Sequence, residues 1–408
     1  MESIPEETFK LIFEYLRDDL NCLLSCLVVN KQWARVTVET MWRNPWRYIK
    51  NTKGEDSKKA EVKLISILIS FLPEDSRAIL REHGIIIPSP LQSPLYDYAG
   101  LSRYLTHYDV NRMTELILTL PEYKGSVETT TLTCQSESYT SYLIKQELYR
   151  MYVDQCRALK LLEFRDADIP LPFFREAERC FSNLCELHCD TTLLSGTYYR
   201  MAQICQNLER LVIVDCHYDN DGLATLIEVQ NNLGYLKIIT KGSDEHGNSR
   251  HNRYIRIANA ISTQAHSLHH FDIGGSFVKA IPPVTIATFE NLRTLHIRFE
   301  GKYEDILKYS SFSQLQVLKC YHVPNPMDVL THFIERTGGL LRKISFKINS
   351  VGDFTMIPQY NKKIAESCPN IRSLTTWFRT DSVADFRQVL ISCPNLEHLT
   401  IGNYENED

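Results

Sequence analysis

The sequence of 408 residues predicts an α/β chain of two unlike parts: a short all-helical front end and, beyond a helical linker, a long array of strand–helix units on one parallel sheet. Three observations carry this. One apolar pattern recurs ten times after residue 131, the first 46 residues hold three short amphipathic stripes between capping residues, and a polar, proline-containing stretch separates the two.

The front end, residues 1–46, begins with Pro5 between Ser3 and the acidic pair Glu6 and Glu7. A proline in a first helical turn forfeits no hydrogen bond, and carboxylates there favour the positive end of the helix. Phe9, Ile12, Phe13 and Leu16 follow at three- and four-residue spacing, one apolar face of a short helix. Asp18 and Asp19 end that helix and start a second, which carries Leu20, Leu23, Leu24, Leu27 and Val28. Asn30 caps a third with Trp33, Val36 and Met41, ending near Trp42 and Trp46. Three short helices in about 45 residues are marginal alone, and such a module is better packed on a partner or on the rest of its chain.

The order Ile4-Pro5, Ile12-Phe13, Leu16, Leu24, Val28-Val29, Trp33 and Trp42 resembles the F-box motif. The resemblance implies that Ile4, Pro5, Ile12, Leu16, Leu24, Val28 and Trp33 form a docking face for the adaptor Skp1, with affinity drawn from buried aliphatic and aromatic anchors. Asn30-Lys31-Gln32 departs from the Cys-Arg/Lys-Arg often found there. The alternative is a plain helical cap for the array, which requires the aliphatic stripes but not Pro5, Trp33 and Trp42 in register with them.

Residues 47–130 form the linker. The polar run 50–59 leads into an apolar helical stretch over Val62–Leu72, Pro73 stops it, and a further helix over Ser76–Glu82 ends at Gly84. Pro88, Pro90 and Pro94 make the next segment a stiff connector, after which Tyr98, Leu101 and Leu105 fall on one helical face. This stretch looks like the helical linker of fungal F-box proteins.

Residues 131–408 carry the repeats. An apolar residue, two of any kind, an apolar residue, one of any kind and another apolar residue recur at Leu159, Leu184, Leu208, Leu233, Leu268, Leu292, Leu315, Leu341, Ile371 and Leu396. Seven of the nine gaps between these anchors are 23 to 26 residues, inside the leucine-rich-repeat range. Each unit supplies a short strand, such as Leu295 and Ile297 facing in with His296 and Arg298 facing out, and a helix that covers the other side. No unit can bury its apolar face alone, so about ten stack into an irregular solenoid with the parallel sheet on its concave wall. The openings CPNIRSL and CPNLEHL resemble the leucine-rich repeats of F-box proteins. Departures are the gap of 35 with its hydrophilic insertion, Thr376 in an aliphatic position, and the scarcity of the Asn or Cys that usually follows each strand.

Chemistry of other kinds finds little support. A net charge of −5, from 45 Lys and Arg against 50 Asp and Glu, argues against DNA or RNA as a partner. The longest apolar stretches, Ile65–Leu72 and Ile281–Ile286, fall far short of the roughly 20 residues that cross a bilayer, and the N-terminus lacks a secretory pattern, so a soluble cytoplasmic or nuclear protein is expected. Phosphate-cradling, dinucleotide, zinc-protease and serine-hydrolase motifs are absent from the sequence, so no catalytic residue, cofactor or metal is assigned. Cys156, Cys205, Cys368 and Cys393 precede anchors by three residues and Cys180 by four, as small buried residues of the repeats. Cys180, Cys185, His188 and Cys189 have the composition of a zinc site, but His188 and Cys189 point to opposite sides of a strand. Asp166, Asp168, Asp219 and Asp221 are expected to be solvated turn residues.

The outward positions of the concave wall are the expected target surface, above all His296, Arg298, Lys319, Tyr321, Lys347 and Trp377, a mixed aromatic and basic set suited to an acidic or phosphorylated patch. Trp377 needs a cover, and the C-terminal tail is one candidate. The resemblance implies a non-catalytic substrate adaptor of a ubiquitin ligase, joined through Skp1 to cullin and RING subunits and holding an unidentified target protein. The alternatives are a Skp1-binding scaffold without cullin, or a plain leucine-rich-repeat interaction module.

Overall fold

A computed structural model describes residues 6–50, 54–88, 94–123, 137–240, 254–299, 305–321, 327–347, 356–377 and 383–402. Ile4, Pro5, Pro90 and the hydrophilic insertion lie outside these residues. The chain forms two compact units, residues 1–184 and 185–408.

The first unit begins with helices α1 (Glu6–Leu16), α2 (Leu20–Leu27) and α3 (Lys31–Trp42). Asp19 accepts a hydrogen bond from Cys22 N and Asn30 from Trp33 N, each at 3.0 Å, so both capping residues satisfy a backbone donor that the helix start leaves over. Phe9, Phe13, Leu23, Cys26 and Val36 make the buried centre, and Leu16, Trp33, Met41 and Tyr48 pack around it. The Trp33 ring meets Phe9 and Phe13 edge-on at 5.3 and 5.7 Å.

Helices over Glu55–Ile69 and Glu74–Glu82 follow. Pro73, with no amide hydrogen to donate, stands before the second, and Gly84 leaves it with a φ of 78°. Leu105 departs from its expected helical place. The helix there spans only Tyr98–Leu101, and Thr106 accepts from Asp109 N to start another at His107. Between them, Tyr104–Leu105 is left extended as strand β1, which pairs in parallel with β2, Leu161–Glu163. An additional rung thus precedes the first anchor of the periodic pattern.

The second unit holds nine strands: β3 (Glu186–Cys189), β4 (Arg210–Val214), β5 (Tyr235–Ile239), β6 (His270–Gly274), β7 (Thr294–Arg298), β8 (Val317–Tyr321), β9 (Lys343–Lys347), β10 (Ser373–Trp377) and β11 (His398–Gly402). Each pairs in parallel with the next in sequence. Parallel neighbours need a crossover, and the intervening chain supplies a helix, as at Asp221–Glu228, Ile255–Thr263 and Ile357–Ser367. This is a leucine-rich-repeat-like solenoid of strand–helix units.

The register aligns the periodic residues in columns. Leu187, Leu211, Leu236, Phe271, Leu295, Leu318 and Ile344 sit opposite one another, and so do Cys189, Ile213, Ile238, Ile273, Ile297, Cys320 and Phe346. The first column is buried throughout. Where the Asn or Cys of a regular repeat is missing, other polar side chains hold the backbone. Thr191 Oγ accepts from His217 N at 2.8 Å, and Thr240 Oγ accepts from Ser276 N at 2.7 Å. The buried Gln230 accepts from Leu208 N at 2.8 Å and donates to Cys205 O and Leu226 O, and Gln264 donates to Ile227 O. Thr376, fully buried, donates to Asn361 Oδ1 at 2.5 Å, which explains how a hydroxyl replaces an aliphatic residue in the core.

Candidate functional site

Two surfaces present the residues singled out by the sequence, one in each unit. The first is on α1 and α2. Ile12, Leu24 and Val28 are 40%, 47% and 85% exposed, although all three are aliphatic and two belong to helices with a buried side. Leu16 and Trp33 are only half-buried, and they pack against the module's own centre while reaching its edge. Val29 is 56% exposed, and Leu11 and Tyr15, which the single-stripe reading missed, add 64% and 89% exposed apolar side chains. Their signal was in the sequence: α1 carries apolar residues at 9, 11, 12, 13, 15 and 16, more than one face of a short helix can bury. Leu16, Val29 and Trp33 also line a shallow hollow of about 500 Å³ beside Asp19, Cys22 and Ser25. The arrangement offers an apolar surface of the kind that a partner helix or sheet covers.

The second surface is the outward face of the sheet in residues 185–408. Its centre is Asp272 on β6, only 3% exposed although it points away from the core columns. Arg298 on β7 grips both of its oxygens, at 2.6 and 3.4 Å, and His296 and Lys237 stand 3.8 and 3.9 Å away. Burial by itself raises the carboxyl pKa, but the contacts from His296 and Arg298 outweigh it and hold the group below its ordinary range. Asp272 is therefore the anionic hub of its neighbours rather than a free contact residue.

Aromatic and basic side chains extend the row to either side. The Arg210 guanidinium lies 3.5 Å over the Tyr235 ring and 2.9 Å from Glu186, which in turn contacts His188 at 2.6 Å. Tyr235 stacks on His270 at 4.2 Å, and His270 meets His296 edge-on at 4.9 Å. Burial, with His296 beside it, pushes the His270 imidazole down to about 4, so the ring is neutral at ordinary pH. Toward β8 and β9, Arg298 lies 5.4 Å over the Tyr321 ring, and Tyr321 is paired with the exposed Lys347. Lys319 and Lys347 have no carboxylate partner among the described residues. His296, Arg298, Lys319, Tyr321 and Lys347 thus share one face over three strands.

Trp377 does not join them. It is 5% exposed, with its ring 6.3 Å from Phe346 and 6.1 Å from Tyr360, and it lies over Gly402, where any side chain would collide with the indole. At the last position of β10, a large ring gains more by packing than the strand alternation would give it outside. The cover is therefore the neighbouring strand β11. Two other expectations are corrected. Asp166 is no solvated turn residue: its carboxylate binds His107 at 3.0 Å, Lys145 at 3.1 Å and the Tyr149 hydroxyl at 2.9 Å. Asp219 accepts from Arg256 N and Ile257 N at 2.8 and 3.1 Å and so caps the helix Ile255–Thr263.

Burial raises the thiols of Cys205 and Cys368 to about 12, which suits packing and disfavours nucleophilic or metal chemistry. Among the described residues, no group of three or more His, Cys, Asp or Glu is placed to hold a metal ion, and no helix is long and apolar enough to cross a membrane.

No family model and no curated protein matches the chain. Among solved structures, it is similar to the leucine-rich repeat-containing protein LegL7 from Legionella pneumophila at 11% identity and a TM-score of 0.34, covering 62% of this chain and 78% of that one. It is also similar to a chain of the Rad7 and Elc1 complex in yeast, at 14% identity and a TM-score of 0.35, covering 62% of this chain and 65% of that chain, just under two thirds of its length. At such scores neither likeness bears on what this chain binds.

Proposed function

We propose that this chain is a non-catalytic interaction scaffold, with α1 and α2 docking a Skp1-type adaptor and the outward sheet face of its repeats holding a second protein. The observation that carries the first half is that Leu11, Ile12, Tyr15, Leu24, Val28 and Val29 are left in water while a small core is complete without them. These side chains include three of the residues that the F-box resemblance assigns to Skp1. Leaving such side chains exposed forgoes roughly 1.5–3 kcal/mol of burial for each large one, and a partner that covers them recovers it. The second half rests on His296, Arg298, Lys319, Tyr321 and Lys347 lying together, with both lysines available to an acidic or phosphorylated partner.

The fuller reading, a substrate adaptor that joins a Skp1–cullin–RING ligase and holds a target near the charged conjugating enzyme, acts by proximity and needs no side-chain nucleophile. It adds a cullin to the assembly on the strength of the F-box resemblance alone. The scaffold reading needs only the two surfaces and is the one we favour.

Titration of the full chain with purified Skp1 tests the docking. Saturable binding by the wild type and its loss in a Leu24→Asp/Val28→Asp variant with an unchanged circular dichroism spectrum are expected. Equal binding by both would overturn the assignment. Addition of the cullin amino-terminal region to the preformed complex then separates the scaffold from the ligase adaptor.

A further inference from the structure

A cleft in the first unit belongs to neither of these surfaces. It lies between α1, the end of α3 with the turn after it, the segment 101–104 and Lys160, and encloses about 310 Å³. Five cations line it, Arg17, Arg43, Arg47, Arg103 and Lys160, against two carboxylates, Glu14 and Glu39. The neutralisation is incomplete. Glu14 is shared by Arg17 and Arg43, and Arg47 turns to Asp18 outside the lining. Arg103 has only carbonyl acceptors, Gly100 O at 3.1 Å and Ser102 O at 2.9 Å, with no carboxylate partner among the described residues. Its backbone nevertheless brings it to Arg43, since Arg103 N donates to Arg43 O at 2.9 Å. Burial, and to a smaller extent the charge on Arg43, lowers the pKa of the Arg103 guanidinium, and Glu39 offsets this only in part.

Excess cations held in a concave, half-buried site are stabilised by an anion that enters it. The size of the cleft is at the lower end of small-molecule sites. Guanidinium groups match phosphate oxygens with paired hydrogen bonds, whereas a lysine adds a point charge. Here the cations come from four separate stretches of chain and surround the space, which suits a tetrahedral group with several charged oxygens better than one planar carboxylate. We propose that this cleft binds a small phosphorylated anion, with Arg43 and Arg103 clamping the phosphate and Arg47 and Lys160 completing the site. The assignment does not depend on the docking of an adaptor.

Calorimetric titration of the full chain with pyrophosphate tests it, alongside citrate and with chloride matching the ionic strength. The expected result is saturable pyrophosphate binding with a rise in thermal midpoint, about tenfold or more weaker in Arg43→Gln and Arg103→Gln, and unchanged in Lys362→Gln, an exposed lysine of the helix Ile357–Ser367. Lack of saturation in the wild type, or the same affinity in both arginine variants, overturns the site. Citrate binding as tightly as pyrophosphate overturns the phosphate class. Should Arg103→Gln lose its fold by circular dichroism, the exposed Lys160→Gln decides: several-fold weaker binding upholds the site and unchanged binding overturns it.

Discussion

The front helices and the repeat array are built from the same aliphatic residues but place them in opposite ways. In the array, a periodic Leu or Ile of an inner strand finds a counterpart on the next, and Leu211, Leu236, Leu295 and Leu318 are all fully buried, whereas Leu399 and Ile401 on the last described strand stand partly in water. In α1 and α2, Phe13 and Leu23 are fully buried while their neighbours Ile12 and Leu24 stand in water. Stacking lets every unit lend its neighbour a surface, so an array closes its core in proportion to its length. Three short helices have only one interior, which five side chains already fill, and further aliphatic residues have nowhere to go. A periodic residue on an inner strand of the array is therefore structural by default, and an apolar residue left over in the front module becomes a candidate contact.

The sharpest way to break this contrast is to remove core from the array. Phe271→Ala, which empties a place in the first column against Phe289, is expected to cost about 3–5 kcal/mol and lower the midpoint of chemical denaturation. A much smaller cost would mean that the stacked core can collapse around the gap. Next in size is Thr376→Val. It removes the donor to Asn361 Oδ1, and Asn361 Nδ2 already lacks a partner, so a loss of about 1–3 kcal/mol is expected. Adding Asn361→Leu should recover most of it, because the stranded polar group and not the missing hydroxyl carries the cost; failure to recover would assign the effect to packing.

In the front module the expected effects shrink. Asn30→Ala should destabilise by about 1 kcal/mol, read as a lower thermal midpoint, through loss of the bond to Trp33 N. Smallest of all is Leu24→Asp/Val28→Asp, within about 0.5 kcal/mol of wild type despite two buried-type residues becoming charged. A cost of several times that would place these side chains in a core and remove the observation on which docking rests.

Much of this was readable in the residues. Asp19 and Asn30 announced the starts of α2 and α3, and the anchors from Leu184 to Ile371 announced the strands that follow each of them. Leu105 was not readable, since an i, i+3, i+4 pattern says nothing of the Thr106 cap that cuts the helix short. The burial of Asp272 and Trp377 escaped the sequence for a related reason. Alternation along a strand assigns a side, but burial on that side depends on what the adjacent strands carry, here Arg298 and His296 for the one and Gly402 for the other.

The sequence by itself determined the class of the fold, because a period of about 25 residues admits few solutions other than stacked strand–helix units, and local caps and prolines punctuate them. Only the tertiary structure decided which polar residues remain available. Arg298, Arg43 and Arg103 are alike on paper, yet the first is held by Asp272, the second shares Glu14 with Arg17, and the third meets only carbonyl oxygens. Whether a charge is free depends on partners distant in sequence, and only the folded chain brings those within the few ångströms over which a hydrogen-bonded ion pair forms.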